Sequence, residues 1–437
     1  MQSETRPRRR ADAESATPRI AHTTRIPAGR RREPPFAWIT PELARVLAAA
    51  ASWGFAHSVY FLLPAYLDAK LGVGPSAIGL VMGSFGLATF ALVPWAGRMI
   101  DKHPHRETIR AGALIMAVAS IGFLFVDSVG PSMIALRVLQ SLSHALVFTA
   151  VGVAVAEVAP VERLSQAVGL AGASMLVMNA VAPALIEPAV ARFGWDFAFL
   201  AAFVAAIAGA GFASRIHTRP RPNDDGGDLR LRGVAKRRVV IHYALVVLAT
   251  GVICGTVFTF EQPFALALGR ERVAGFYIAF ALAAFGVRLT IGRLPDRVGR
   301  RRTGVAMLAL YSTAAASLAV CRPQDLEAVG FVFGFAHGLL FPSINGIALM
   351  AVPDGERGRV MAIFIGVFSL GVSTTWVLGP VARDFGYEIV FLIAASTGVA
   401  ATVLLAVSKP LGEPPYSERK SKRGSDAEIA AILPARA

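Results

Sequence analysis

The sequence predicts an all-α membrane protein of twelve transmembrane helices, arranged as two pseudo-symmetric six-helix bundles. Three observations carry that reading. Twelve apolar stretches are long enough to cross a bilayer, the cations gather in every second connection, and the second half of the chain repeats the first. Of the 437 residues, 54% are apolar and 17% charged, with a mean hydropathy of +0.55, which leaves too few polar side chains to cover a soluble surface. The net charge of +15 would suit nucleic acid if it lined a folded face. It lies instead in tails and short loops, and a nucleic-acid partner is excluded.

Residues 1–40 hold nine arginines among Pro, Thr and Ser, without an apolar core, and read as a disordered basic cytoplasmic tail held near anionic lipid. At 1.5 Å per residue, a ~30 Å hydrocarbon core needs about twenty apolar residues. Segments 43–67, 75–96, 107–126, 132–157, 164–190 and 196–215 meet this, giving an N-terminal bundle over 41–215. The run 216–238, with Pro220, Pro222, Gly226, Gly227 and Lys236-Arg237-Arg238, reads as a cytoplasmic linker. Segments 239–263, 273–291, 303–320, 328–351, 359–380 and 388–408 give a C-terminal bundle over 239–408, and 409–437 forms a second cytoplasmic tail.

Cations such as Arg98, Lys102 and Arg106, Lys236 to Arg238, and Arg300 to Arg302 fall in one set of connections. The other set carries only Lys70, Arg192, Arg270, Arg272, Arg322 and Arg383. The positive-inside rule then orients a multi-pass protein of the cytoplasmic (inner) membrane with both termini cytoplasmic. Cys254 and Cys321 lie in or beside apolar segments without metal-ligand spacing. No phosphate-binding loop or paired metal motif occurs, so no enzyme site, cofactor or metal is expected.

The internal repeat reaches individual residues. Ser143-His144-Ala145-Leu146-Val147-Phe148 aligns with Ala336-His337-Gly338-Leu339-Leu340-Phe341, and Phe193-Gly194-Trp195 with Phe385-Gly386-Tyr387. Tyr60-Phe61-Leu62-Leu63-Pro64 answers Thr259-Phe260-Glu261-Gln262-Pro263. A third pair of stretches combines Gly, one acid and several cations: Gly97 with Asp101, Lys102 and Arg106, and Gly292 with Asp296, Arg297, Gly299 and Arg300. Glycine permits tight turns and close helix approach, Asp suits a helix N-terminus, and the cations suit an acid or a helix C-terminus.

These loops resemble the cytoplasmic signature loop of the major facilitator superfamily, roughly G-x-L-a-D-r-x-G-r-r; the second copy matches well, and the first has Pro104 where the second Gly belongs. The resemblance covers about 41–408 and implies that both loops form an inner gate. With that gate closed, Asp101 would meet the start of segment 11 and Asp296 the start of segment 5. The run His337 to Pro342 with Glu356-Arg357-Gly358-Arg359 is similar to a bacterial subgroup of efflux-type permeases. The implied function is secondary active transport of a small organic molecule by alternating access, as proton-coupled efflux. A proton-coupled uptake permease is the alternative, and a transporter-like membrane sensor a more distant one. The expected partners are a small-molecule substrate, protons and membrane lipid, for a monomeric chain.

Charges inside membrane segments are costly and therefore functional candidates. Arg137, with Gln140 and Ser141, resembles the family's R-x-x-q-G pattern on segment 4, whose Arg is associated with proton transfer; an arginine reaching for the interface is the plainer reading. Glu187 on segment 5 comes from a similar depth and is expected to pair with Arg137. Glu261 stands where the first half has Leu62, a proton or substrate candidate unless it is a boundary acid. His57 and His144 suit a substrate cavity, and His337 is expected to tie two helices together, with the cavity as its alternative. Gln140, Asn179 and Asn345 are uncharged cavity candidates, or helix-to-helix hydrogen-bonding groups. Arg288 lies just ahead of the second signature loop and is expected at the inner gate.

Overall fold

The computed structural model describes residues 38–160, 163–217, 234–350, 352 and 357–407. The two tails and most of the 216–238 linker lie outside the described residues. Among the described residues, twelve helices are long and apolar enough to cross a membrane. The first six are α1 (Pro41–Lys70), α2 (Pro75–Lys102), α3 (His105–Gly122), α4 (Pro131–Val158), α5 (Leu164–Phe193) and α6 (Trp195–Ser214). The second six are α7 (Arg238–Ala267), α8 (Ala274–Ile291), α9 (Arg300–Ser317), α10 (Leu326–Met350), α11 (Arg357–Phe385) and α12 (Tyr387–Val407). Proline opens α1, α2 and α4, where its missing N–H costs nothing. Thr40 adds a side-chain cap, its Oγ1 accepting from the Leu43 N–H at 3.2 Å.

Several helices outrun their apolar stretches. α2 continues past residue 96 to Lys102, because the first stop signal is His103-Pro104. α11 continues to Phe385, where Gly386 (φ 90°) turns the chain, as Gly194 (φ 82°) does at the end of α5. The Phe-Gly-aromatic repeat in sequence is thus a repeated left-handed turn. α1 is not one regular helix. Pro64 clashes with the preceding turn, and around it the chain passes through a 3₁₀ segment at Tyr60–Leu62 and a π segment at Tyr66–Lys70.

Packing follows the repeat. In the first bundle α1 packs on α5 and α6, while α4 packs on α2 and α3. In the second, α7 packs on α11 and α12, while α10 packs on α8 and α9. Across the pseudo-twofold, α2 meets α11 and α5 meets α8. The α2–α11 approach depends on small residues. A Cβ on Gly83 would stand 2.8 Å from the Ser373 carbonyl and 2.9 Å from the Trp376 nitrogen, so only glycine lets the two backbones come this close.

Candidate functional site

Two ends of the molecule need separate description: the signature end, carrying residues 97–106 and 292–302, and the far end, carrying the α1–α2, α5–α6, α7–α8 and α11–α12 turns. At the signature end the two copies differ. In the second, α8 stops at Ile291, a short helix runs Leu294–Val298, and Gly299 (φ 110°) starts α9. Asp296 accepts from Arg300 Nε (3.0 Å) and Nη2 (2.8 Å), and Arg300 Nη1 donates to the Gly346 carbonyl on α10 (3.1 Å). Arg301 donates to the carbonyls of Leu405 and Ala406 at the C-terminus of α12, where a cation suits the helix dipole. Arg297 is exposed, and Arg288 Nε binds the Gly338 carbonyl on α10 at 3.1 Å.

The first copy departs from the expected loop. Gly97, Asp101 and Lys102 lie within α2, and only His103-Pro104 turns the chain before α3, whose second residue is Arg106. Without a second glycine, no left-handed residue ends the helix early. The Asp101 side chain lies outside the described set. His105, which stands where the signature loop has a cation, reaches Glu157 on α4 at 2.9 Å.

The first bundle's interior gathers several expected residues. His57 on α1 stacks on Trp53 (ring centroids 5.2 Å apart, 13° between planes) and lies 5.0 Å from the His144 ring on α4. His144 in turn stacks on Phe148 and meets Phe85 on α2. The second bundle repeats this arrangement: His337 sits against Phe341 of its own helix and Phe280 of α8. Phe61 bridges the halves, with Phe258 at 5.5 Å and Tyr277 at 5.7 Å. The three imidazoles are half-buried, and the Nδ1 of His144 has no hydrogen-bond partner. His337 Nδ1 lies 3.3 Å from the Tyr311 hydroxyl on α9, and Asn179 accepts from Ser58 on α1 at 2.9 Å, so both residues also tie helices together. Asn345 is half-buried on α10.

The expected pairing of Arg137 with Glu187 is not made. Arg137 is 4% exposed, and its guanidinium donates to the Val81 carbonyl (3.3 Å) and to Gln140 Oε1 (2.7 Å), with its Cζ 4.8 Å over the Phe85 ring. It turns toward α2, whose Val81 carbonyl and Phe85 ring it meets. Glu187 instead crosses to the other bundle: its carboxylate accepts from the backbone N–H groups of Val273 and Ala274 at the start of α8. Beside it, a cavity of about 260 Å³ is lined by Glu187, Arg270, Arg272 and Glu327, with Arg270 and Glu327 ion-paired. Glu261 is 1% exposed, and its Oε2 has no hydrogen-bond partner. Among the described residues, no three His, Cys, Asp or Glu converge as metal ligands.

The inter-bundle hydrogen bonds gather at the far end. Besides Glu187, Thr375 on α11 donates to the Gly79 carbonyl on α2 at 3.3 Å, and Gln262 on α7 bonds the backbone of α1 at Phe61 and Ala65. Asp296 thus answers Arg300 at the start of α9, where the resemblance implied the start of α5. Gln262 was visible in the repeat, as a polar residue opposite Leu63, by the same signal that singled out Glu261. Trp53, Phe85 and Tyr311 carried no such mark, because aromatic residues in an apolar segment read as core.

The description of the Major Facilitator Superfamily matches residues 43–330 and 273–436. The Staphylopine export protein of Staphylococcus aureus is 22% identical over 368 residues, covering 79% of this chain and 91% of its own. An uncharacterized MFS-type transporter of Burkholderia mallei is 25% identical over 360 residues, covering 79% of this chain and 86% of its own. The crystal structure of a D-xylose-proton symporter aligns at a TM-score of 0.72 and 14% identity, over 86% of this chain and 100% of that one. The nucleoside transporter NupG aligns at 0.68 and 14%, over 85% and 100%. At these identities the solved structures share the fold. With the family match extending across both halves and twelve helices packed as two like bundles, the chain belongs to the major facilitator superfamily.

Proposed function

We propose that this chain is a secondary active transporter that exports a small organic molecule across the cytoplasmic membrane by alternating access, driven by protons. The observation that carries the reading is the junction between the bundles. Two similarly built halves are joined at one end by a few side-chain-to-backbone hydrogen bonds, contacts that can part without exposing an unpaired ion pair. Between them stand the paired imidazole–phenylalanine clusters around His144 and His337, which suit a substrate with apolar surface and a few polar groups. Export draws support from the similarity to the staphylopine exporter. Orientation rests on the loop charges, which put the signature end and both tails in the cytoplasm. In this reading 41–215 and 239–408 are the two moving bodies, and the signature loops form the inner gate.

Glu187 is the coupling candidate the geometry favours. Its carboxylate joins α5 to the start of α8 across the two bundles, so a change at this side chain acts directly on a contact that must part. Glu261, buried without a partner for one oxygen, is the second candidate.

The test is an accumulation and growth-inhibition screen across small organic compounds, comparing a deletion strain with an overexpressing strain, with and without a protonophore. Export predicts lower accumulation in the overexpressor, abolished by the protonophore. Higher accumulation there would reverse the direction to uptake, and no difference for any compound would count against transport.

A further inference from the structure

At the far end one side chain is bonded to two backbone groups of another helix. Gln262 of α7 is fully buried, and its carboxamide oxygen accepts from the Ala65 N–H of α1 at 3.0 Å. Its amide nitrogen donates to the Phe61 carbonyl of the same helix. Phe61 and Ala65 are four residues apart, so an unbroken α-helix would join that carbonyl and that N–H to each other. Here the helix is irregular at this point. The Leu63 N–H bonds the Tyr60 carbonyl and the Tyr66 N–H bonds the Leu63 carbonyl, both in the tighter 3₁₀ pattern. Pro64 supplies no N–H of its own.

We propose that Gln262 is a positioning residue of the transport cycle, acting as a removable rung in the hydrogen-bond ladder of α1. With the far end closed, its carboxamide answers Phe61 and Ala65. When α1 and α7 part, Gln262 withdraws, and the Phe61 carbonyl and Ala65 N–H pair with each other as that one turn of α1 closes, the Pro64 irregularity remaining. These two groups exchange the carboxamide for one another. In neither arrangement is the Phe61 carbonyl or the Ala65 N–H left buried and unpaired. That is the property a two-state element needs: two satisfied packings with a small gap between them.

The chemistry requires a donor and an acceptor on one planar group. A peptide carbonyl and a peptide N–H must be answered together, and only a group with both donor and acceptor at amide spacing does this. Methionine has nearly the same length but answers neither. Glutamate is informative. As a carboxylate it can accept from Ala65 but would repel the Phe61 carbonyl, and as a neutral carboxylic acid it supplies one donor and one acceptor, as the amide does.

The inference rests on the alternating-access reading, and its test is chosen to be independent of substrate. Full-length protein in lipid nanodiscs carries spin labels at Lys70→Cys and Glu271→Cys, exposed positions beyond the far ends of α1 and α7, in a Cys321→Ser background. Distances are measured at pH 5.5 and 8.5 for the unaltered Gln262 chain, Gln262→Met and Gln262→Glu. The ionisable groups around the position are Glu261 and Tyr277 beside it on α7 and α8, Tyr60, Tyr66 and Asp68 on α1, Glu187 on α5, and the Arg270–Glu327 pair. All are common to the three chains, so the Gln262 chain provides the baseline for their titration.

The expected result is a closed-to-open ratio at least ~5-fold lower for Gln262→Met at both pH values, in proportion to the loss of two hydrogen bonds. Gln262→Glu should match the Gln262 chain at pH 5.5 and fall toward Gln262→Met at pH 8.5. Hydrogen exchange at Ala65 should remain slow in the open population of the Gln262 chain, because the N–H has found Phe61. A Gln262→Met ratio equal to that of the Gln262 chain overturns the proposal. So does a Gln262→Glu chain whose ratio follows the Gln262 baseline at both pH values. Failure to find a transported compound would leave these distances standing, whereas transport with an indifferent Gln262 would remove only the latch.

Discussion

Glu187 and Ala274 belong to different bundles, yet the carboxylate of one caps the helix that the other begins, with the Ala274 N–H donating at 3.2 Å. The Val273 N–H, one residue earlier, donates to the same oxygen. Most helix caps are local in sequence. This one spans the interface that must open if the bundles rock, so its strength enters the balance between two conformations of the whole chain.

Graded substitutions should separate the two parts of that cap. Glu187→Gln keeps an acceptor oxygen but gives up the charge, a change of about 0.3–1 kcal/mol at a helix N-terminus, or roughly 2- to 5-fold in the closed-to-open ratio. Glu187→Ala removes the cap, at about 0.5–2 kcal/mol, up to roughly 30-fold. Spin-label distances between Arg192→Cys on α5 and Glu271→Cys ahead of α8 should follow the order Glu, Gln, Ala. Identical populations in all three would mean that the contact has no bearing on closure.

Closure should also be blocked by bulk. At Gly83 the space for a side chain is already taken by Ser373, Thr375 and Trp376 of α11, all within 3.0 Å of where a Cβ would be. Gly83→Val should hold α2 and α11 apart at the far end and trap that end open. The spin-label distance between Gly74→Cys ahead of α2 and Arg383→Cys near the end of α11, both exposed, reads this out in a Cys321→Ser background. An unchanged distance in the Gly83→Val chain would refute the expectation.

The sequence made the architecture legible because membrane folding repeats a few strong signals. Apolar length marked the helices, and the repeat of Phe193-Gly194-Trp195 in Phe385-Gly386-Tyr387 foretold two equal turns. The candidate site was less legible, for physical reasons. Arg137 and Glu187 share a depth and opposite signs, but depth says nothing about which way a side chain faces around its helix. Arg137 faces α2, where Gln140 and Phe85 hold it, and Glu187 faces α8. Gln262 took its meaning from a defect in a distant helix, which Pro64 hinted at but no spacing rule could join to residue 262.

Orientation can be tested with little interference from the native thiols. Cys254 is buried within α7. Burial first, and then the nearby Asp325 and Glu261, push the Cys321 thiol up to about 11. A thiol raised from 9 to about 11 presents roughly a hundredfold less thiolate at pH 7, and the thiolate is the reactive form. An impermeant maleimide should therefore label Cys321 slowly, with the rate still rising as pH passes 9. Single cysteines at Lys70 or Arg272 should react from outside the cell, and those at Lys102 or Arg300 should not. External labelling at Arg300→Cys would overturn the orientation inferred from loop charge.

Arg137 poses a sharper question: whether its charge serves transport or only holds α4 against α2. Buried, and bonded to no carboxylate among the described residues, the guanidinium rests on hydrogen bonds to Val81 and Gln140 and on the face of Phe85. A desolvated cation–π contact is worth about 2 kcal/mol, and leaving the Gln140 oxygen unpaired would add about 1–3 kcal/mol to the loss. Arg137→Lys retains charge but lacks the fork that reaches Val81 and Gln140 together, so it should lower the melting temperature. Replacing both partners, as Arg137→Met with Gln140→Leu, removes the orphaned amide and should recover at least about half of the loss in melting temperature seen for Arg137→Met alone. If the charge takes part in the cycle, this repaired double variant will still transport at least ~10-fold more slowly in proteoliposomes, a barrier change of about 1.4 kcal/mol. Recovery of both stability and transport in the double variant would reduce Arg137 to a structural tie. Glu187 and Glu261, two of the acids at the far end, would then be the remaining coupling candidates.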